Sequence, residues 1–147
     1  MQGLIDTHFH LDMYKNYNEI YKYIVREKQY TLCMTNSPGV FLSCKNMFGD
    51  NKYIKFALGF HPLNTDLKAK DLRDFMCLLP QTEYVGEIGL DFTKRNEKKK
   101  EQQIKWFEKI VEVCSEKNKV MSIHIRGAEE IALKILELWL SGDTIAQ

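Results

Sequence analysis

Short apolar runs alternate with longer segments of helical spacing about five times along this chain of 147 residues. The apolar runs are rich in β-branched and aromatic residues, which favours strands. The predicted strands are residues 4–8, 30–35, 54–60, 84–87 and 120–124. Between them, apolar side chains recur every three or four positions, as on the buried face of a helix. The predicted helices are residues 18–28, a short segment at 37–48, and residues 67–79, 97–116 and 128–140.

The strict order of strand, helix and strand predicts parallel strands joined by right-handed crossover connections. The predicted fold class is therefore α/β. A chain of this length is sufficient for one hydrophobic core, so we expect residues 1–147 to form a single domain.

The composition excludes some classes of protein and leaves others open. The formal net charge is +1, so charge alone does not indicate a nucleic-acid-binding protein. The cysteines form no Cys-x-x-Cys pair, which argues against a zinc knuckle or a redox motif. We expect buried free thiols at Cys33, Cys44, Cys77 and Cys114. No basic leader and no membrane-length apolar stretch is found, so we predict a cytoplasmic protein without membrane contact.

A basic segment lies at residues 94–100, where the longest predicted helix begins. A solvated helix face is the ordinary interpretation of such a run. Because the segment directly follows residues 87–91, contact with an anionic substrate is the alternative.

All the histidines fall at the carboxyl end of a predicted strand or within two residues of it: they are His8, His10, His61 and His124. The carboxyl ends of parallel strands are where the active sites of α/β proteins lie. Glu87 also ends a predicted strand, between Gly86 and the turn that follows. Alternate residues of an extended strand share a face, so His8 and His10 can bind one metal ion. The pattern predicts a hydrolytic centre with one or two metal ions.

Each of these residues also has an ordinary structural interpretation. His61 precedes Pro62, so it could simply be an extended residue in a turn. Glu87 could form an ion pair with Arg126 or a lysine. His124 on an apolar strand could be a core histidine with satisfied hydrogen bonds.

Asp6 and Asp12 flank the first pair of histidines. Each could cap a turn or helix, and Asp6 could instead orient a histidine that binds metal. A single shared site explains all these strand-end residues more economically than independent structural roles.

Four motifs together resemble the TatD-like metal-dependent deoxyribonucleases, which belong to the amidohydrolase-like barrels. They are Ile-Asp-Thr-His-Phe-His-Leu at 5–11, Gly-Phe-His-Pro at 59–62, Gly-Glu-Ile-Gly-Leu-Asp at 86–91, and His-Ile-Arg with a following alanine at 124–128. Gln103 and Phe107 match the Gln-x-x-x-Phe spacing of the intervening helix. The resemblance extends over nearly the whole chain, and the motif at 86–91 is its most specific part.

This resemblance implies a (β/α)₈ barrel that hydrolyses phosphodiester bonds from single-stranded DNA ends, as a 3'-5' exonuclease. It also implies up to two divalent ions of magnesium, manganese or zinc. The implied roles are metal ligands at His8, His10, Glu87 and His124, contacts to the scissile phosphate from His61 and Arg126, and support from Asp6 and Asp91. Glu87 would bridge the two ions.

The chain departs from the family pattern because it supplies only five of eight strand–helix units. The family's histidine from the sixth strand and aspartate from the eighth strand are missing. We therefore expect a TIM-barrel-type fold truncated to five units, completed by further chain, a second protein or another copy. A non-catalytic partner-binding or scaffold subunit is one alternative. An ester or amide hydrolase, such as a D-aminoacyl-tRNA deacylase, is another.

Overall fold

The computed structural model describes residues 3–64, 66–93 and 99–140. Its strands are β1 (Ile5–Phe9), β2 (Tyr30–Cys33), β3 (Ile54–Phe56), β4 (Leu58–Phe60), β5 (Tyr84–Asp91) and β6 (Val120–Arg126). Its helices are α1 (Tyr17–Arg26), α2 (Pro38–Phe48), α3 (Ala69–Leu78), α4 (Lys100–Glu116) and α5 (Glu129–Leu140). Short 3₁₀ helices occupy Leu11–Met13 and Leu79–Gln81.

All strand pairs are parallel and form two three-stranded sheets, β1-β2-β3 and β4-β5-β6. The prediction of an α/β fold with parallel strands is confirmed. Thr35 connects the two sheets, because its backbone N–H donates to Gly86 and its carbonyl accepts from the N–H of Glu87. The described residues form no closed barrel.

The predicted strand at 54–60 is wrong in one respect, because Ala57 divides it into β3 and β4. The Ala57 N–H donates to the carbonyl of Cys33 at 2.7 Å. The Thr35 hydroxyl donates to the Ala57 carbonyl at 2.8 Å and accepts from the Gly59 N–H at 3.0 Å. The Thr35 hydroxyl therefore bonds the Ala57 carbonyl and the Gly59 N–H, where backbone groups of a neighbouring strand would do so in a continuous strand. A strand pattern in the sequence does not reveal such a contact.

The prediction that the fourth strand ends at Glu87 is also wrong, because β5 continues to Asp91. Gly89 has φ of +144°, and a Cβ there would lie 1.8 Å from the carbonyl oxygen of His124. Glycine thus allows β5 to approach β6 closely instead of ending the strand. β6 likewise extends two residues beyond its predicted end, to Arg126.

Register irregularities occur in two strands where the proposed metal ligands lie. β1 has one more residue than β2 between Asp6 and Phe9. β5 has one more residue than its neighbours between Val85 and Ile88. Bulges of this kind redirect a side chain within a sheet. The irregularity in β1 spans Thr7 and His8, and that in β5 spans Gly86 and Glu87.

The hydrophobic core lies between the sheets and the helices, and α4 shows how the sequence pattern produces it. Its buried apolar side chains are Phe107, Ile110, Val111 and Cys114, at the predicted spacing of three and four residues. Burial of one such large side chain contributes about 1.5–3 kcal/mol. The described helix begins at Lys100, and the predicted start at 97 and most of the basic segment, residues 94–98, lie outside the described residues.

The two edge strands are partly exposed. Within the described residues, β1 pairs only with β2, and β6 pairs only with β5. Ile5 on β1 is 68% exposed and Val120 on β6 is 58% exposed. Such edges lack partners for their outer backbone groups and apolar side chains.

Three of the four cysteines are buried as predicted: Cys33, Cys44 and Cys114. Burial raises the pKa of the Cys33 and Cys114 thiols to about 12. The prediction of a buried thiol is wrong for Cys77, which is exposed on α3, because its neighbour Phe75 occupies the inward face of that helix. No helix of the described chain is long and apolar enough to cross a membrane.

Candidate metal centre

Glu87 lies at the centre of a cluster of four imidazoles, and its side chain is only 11% exposed. One carboxylate oxygen, Oε2, lies 3.1 Å from His10 Nε2, 3.4 Å from His61 Nε2 and 3.6 Å from His8 Nε2. The other oxygen, Oε1, lies 3.1 Å from His124 Nδ1. Both oxygens of a single carboxylate are therefore surrounded by ring nitrogens.

Four strands of the two sheets bring these side chains to one edge. His8 lies near the end of β1, and His10 follows that strand directly. His61 follows β4, and His124 lies on β6 opposite Gly89 of β5. The structure thus brings together the histidines and the glutamate that the sequence analysis selected. His10 and His61 follow their strands directly, whereas Glu87 and His124 lie within β5 and β6.

The cluster divides into two sets of potential ligands that share Glu87. One set is His8, His10 and Glu87, and the other is His61, Glu87 and His124. Within each set the potential ligand atoms lie within 4.8 Å of one another. Imidazole nitrogens with a carboxylate suit zinc and other first-row divalent ions. The donor chemistry therefore fits a metal centre, and a shared carboxylate fits one that bridges two ions.

Two neighbouring groups set which ring nitrogen of His8 and His124 faces Glu87. His8 Nδ1 lies 3.1 Å from the Ser122 hydroxyl. His124 Nε2 lies 2.9 Å from Oδ2 of Asp91, and an ionised carboxylate only accepts hydrogen bonds. The proton of a neutral His124 ring is therefore on Nε2, which leaves the Nδ1 lone pair directed at Glu87. This is how supporting groups orient histidines that bind metals.

His61 has the opposite arrangement. Its Nδ1 accepts the backbone N–H of Leu63 at 3.1 Å, so a neutral ring carries its proton on Nε2. That Nε2 is the atom that faces Glu87. In this tautomer His61 is a hydrogen-bond donor to the site, whereas a metal ligand needs a free lone pair.

The hydrogen bond between Glu87 and His10 shifts the pKa values of both partners. The hydrogen bond with His10, followed by that with His61, holds the pKa of Glu87 well below its usual value despite desolvation. The same hydrogen bond with Glu87 raises the pKa of His10. Proton uptake by His10 is therefore favoured beside the ionised Glu87, as binding of a cation there would be.

Asp91 is fully buried and is fixed by its surroundings. The Gln103 side chain accepts from the Asp91 N–H at 2.8 Å and donates to the Asp91 carbonyl at 3.1 Å. Burial alone would raise the pKa of Asp91, but hydrogen bonds with Thr93 and His124 outweigh it and lower the pKa. Gln103 thus positions Asp91, and Asp91 in turn contacts His124.

Asp6 and Asp12 lie beside the first histidine pair without contacting an imidazole at hydrogen-bond distance. Oδ1 of Asp6 accepts the backbone N–H of His8 at 3.1 Å, so it holds the bulged main chain. Oδ1 of Asp12 lies 4.0 Å from Nδ1 of His10, in the 3₁₀ turn that follows β1. That Nδ1 is buried and has no hydrogen-bond partner among the described residues.

Arg126 ends β6 with its side chain exposed. Its backbone carbonyl accepts the N–H of Phe92 at 2.9 Å. Within the described residues the ion pairs of Glu87 are with histidines, so the alternative of a Glu87–Arg126 pair is wrong. Arg126 shares a strand face with His124 because the two are separated by one residue.

The sequence analysis did not select Ser122 and Thr35, although both shape the site. Ser122 is two residues before His124 and therefore on the same face of the strand, which is a signal that was present in the sequence. The role of Thr35 between the two sheets depends on contacts across the fold and left no such signal.

Comparison with known proteins places the fold and the motifs in one family. The uncharacterized metal-dependent hydrolase YcfH of Escherichia coli K12 is 29% identical over 142 residues, which cover 90% of this chain and 53% of YcfH. The uncharacterized metal-dependent hydrolase MJ1582 of Methanocaldococcus jannaschii is 29% identical over 134 residues, which cover 85% of this chain and 51% of MJ1582. The chain spans about half the length of the curated relatives it matches.

The crystal structure of YjjV, a TatD homolog from Escherichia coli K12, has the same fold over the shared region. The TM-score is 0.77 at 18% sequence identity, with 91% of this chain and 55% of YjjV covered. The family model described as TatD related DNase matches residues 5–144. With its fold, its motifs and this match in agreement, the chain belongs to the TatD family.

Proposed function

We propose that this chain is the ligand-rich part of a metal-dependent hydrolase that cleaves phosphodiester bonds at the ends of single-stranded DNA. The observation that supports the proposal most directly is the position of Glu87. Both of its carboxylate oxygens lie within 3.1–3.6 Å of ring nitrogens from three other strand ends. Burial of a carboxylate costs desolvation free energy, and a cation bound between Glu87 and the four imidazoles would offset that cost.

In this proposal His8, His10, Glu87 and His124 would hold up to two divalent ions, with Glu87 as the bridge. Bound ions of this kind acidify a water molecule and neutralise charge on a phosphate. The nitrogen-rich set favours zinc over magnesium or manganese, since those two ions prefer oxygen ligands. Ser122 and Asp91 would keep the His8 and His124 rings in the orientations that ligation needs.

His61 and Arg126 would act on the substrate. The Nε2–H of His61 would donate a hydrogen bond to a phosphate oxygen, because its Nδ1 is already occupied by the Leu63 N–H. The guanidinium of Arg126 would contact the phosphate in a bidentate manner, for which its planar fork is well suited.

Activity in this proposal depends on a complete barrel. The exposed outer sides of β1 and β6 are where additional strands would pair. The additional strands would also bring the histidine and the aspartate that the family supplies from its sixth and eighth strands. Either further chain or a second polypeptide would provide these strands, so the described part is a five-unit portion of an eight-unit barrel.

A nuclease assay with end-labelled single-stranded DNA tests the proposal, with the chain alone and with its natural completing polypeptide. We expect shortening of the DNA that requires zinc or another divalent ion and stops with a chelator. Glu87→Gln should remove the activity because it removes the bridging charge. Glu83→Gln, at an exposed glutamate that pairs with Lys119, is the matched control and should retain it. Equal cleavage by the parent and Glu87→Gln would refute the proposal.

The exposed edges favour one alternative, a non-catalytic subunit that binds a partner through β1 and β6. In that case the chain would form a stable complex with a second protein and bind metal below one ion per chain. Tight binding of two ions by the chain alone would exclude it.

A further inference from the structure

An open cavity of about 350 Å³ adjoins the histidine cluster on the side of His61. It is lined by Met13, Asn36, His61, Leu63 and Asn64. Met13 is 65% exposed and Leu63 is 43% exposed, so two large apolar side chains border a polar site. This volume is at the lower end of the range of ligand pockets and suits a single ring system.

Hydrogen bonds donated by backbone N–H groups connect the lining of this cavity to the histidine cluster. The Met13 N–H donates to the carbonyl of His10 at 3.4 Å, and the Leu63 N–H donates to His61 Nδ1 at 3.1 Å. The His61 N–H donates to the carbonyl of Asn36 at 3.1 Å. The cavity therefore keeps a defined position beside the atoms that surround Glu87.

The chemistry of the lining favours a neutral, flat ligand with a polar edge. Of the described residues around the cavity, none carries a fixed charge, and the thioether of Met13 suits contact with an aromatic ring. The amide side chains of Asn36 and Asn64 belong to the polar part of the lining.

We propose that this cavity binds the nucleobase of the nucleotide whose phosphate occupies the metal centre, an inference that rests on the proposed function. The phosphate would lie at the histidine cluster and the base between Met13 and Leu63, with its amide edge at Asn36. The cavity thus selects nucleotides over simple phosphate esters.

The test is an equilibrium titration of the zinc-loaded chain, with its completing polypeptide, with thymidine 5'-monophosphate and with methyl phosphate. Both ligands carry the same phosphate group, and only the nucleotide can occupy the cavity. We expect the parent to bind the nucleotide at least about tenfold more tightly, as apolar contacts in a pocket discriminate by this order. Leu63→Ala, Met13→Ala and Asn36→Ala should each reduce this preference while the affinity for methyl phosphate stays constant.

Leu42→Ala is the matched control, because Leu42 is an exposed leucine on α2 that lines a different cavity. It should keep the parental preference, and thermal unfolding of all variants checks that they fold. Equal affinity of the parent for both ligands, or an unchanged preference in all three cavity variants, would overturn the inference.

The outcome separates the inference from the proposed function. If DNA is cleaved with metal but the nucleotide preference is absent, only the nucleobase site is wrong. If the preference is present and lost in Leu63→Ala while no phosphodiester is cleaved, the nucleobase site stands and the proposed reaction is wrong.

Discussion

The carboxyl-end edge of the sheets and their two outer strands differ in how completely their groups are satisfied. At the carboxyl-end edge, Glu87 is nearly buried and its two oxygens are surrounded by histidines from other strands. At the outer strands, Ile5 and Val120 remain largely exposed. The described strands and helices therefore assemble a histidine–carboxylate cluster but leave the outer sides of β1 and β6 uncovered by any described residue. The His and Glu side chains can therefore come together although the outer strands β1 and β6 have no further described strand beside them.

The largest effect should come from the centre of the cluster, with Glu87→Gln. The substitution removes the charge that both ligand sets share, and it keeps the size of the side chain. We expect metal affinity to fall by more than the roughly 100-fold that loss of a supporting group costs. Calorimetric titration with zinc measures this, with Glu83→Gln as the control. If Glu87→Gln keeps parental affinity, the two sets are not metal sites.

The contrast between core and edge predicts a large difference in stability between two apolar substitutions. Phe107→Ala on α4 should lower the free energy of unfolding by about 3–5 kcal/mol, since Phe107 is buried in the core. Ile5→Ala on β1 should change it by less than about 0.5 kcal/mol, because Ile5 is exposed. Urea unfolding of the chain without any partner measures both. A large cost for Ile5→Ala would mean that the β1 edge is covered in solution.

Asp91→Asn tests how much the contact of Asp91 with His124 contributes to metal affinity. The amide can donate to His124 Nε2 as well as accept from it, so the preferred tautomer is lost. We expect metal affinity to fall about 10–100-fold with little change in the fold. Gln102→Asn, on the same helix as Gln103 but without its contact to Asp91, serves as the control in the same titration.

Metal affinity should depend on pH through His10, whose pKa is raised by its hydrogen bond with Glu87. The ligand form is neutral imidazole, so protons compete with the metal. Metal affinity is at its maximum above this raised pKa. It decreases as the pH falls through the pKa, by about tenfold per pH unit for each proton taken up. Zinc titrations in buffers from about pH 8 to about pH 5.5 measure the slope. A pH-independent affinity across the range of histidine titration would contradict imidazole ligation.

The sequence predicted the class of fold and the residues that the structure brings together around Glu87, because both depend on local order. Alternation of strand and helix patterns requires parallel strands, and strand-end positions place His8, His61 and His124 at one edge. The motif at 86–91 identified the glutamate, although its strand continues beyond the predicted end. The family match over residues 5–144 agrees with these motifs.

The tertiary structure decided what depends on contacts between distant segments. The separation of β3 and β4 at Ala57 arises from hydrogen bonds of the Thr35 side chain. The bulge that directs Glu87 into the cluster is visible only against the register of neighbouring strands. The tautomer of a neutral His124 ring follows from its contact with Asp91, which is 33 residues away in the sequence. Local periodicity determines which elements form, whereas hydrogen bonds between distant residues determine where each donor atom lies.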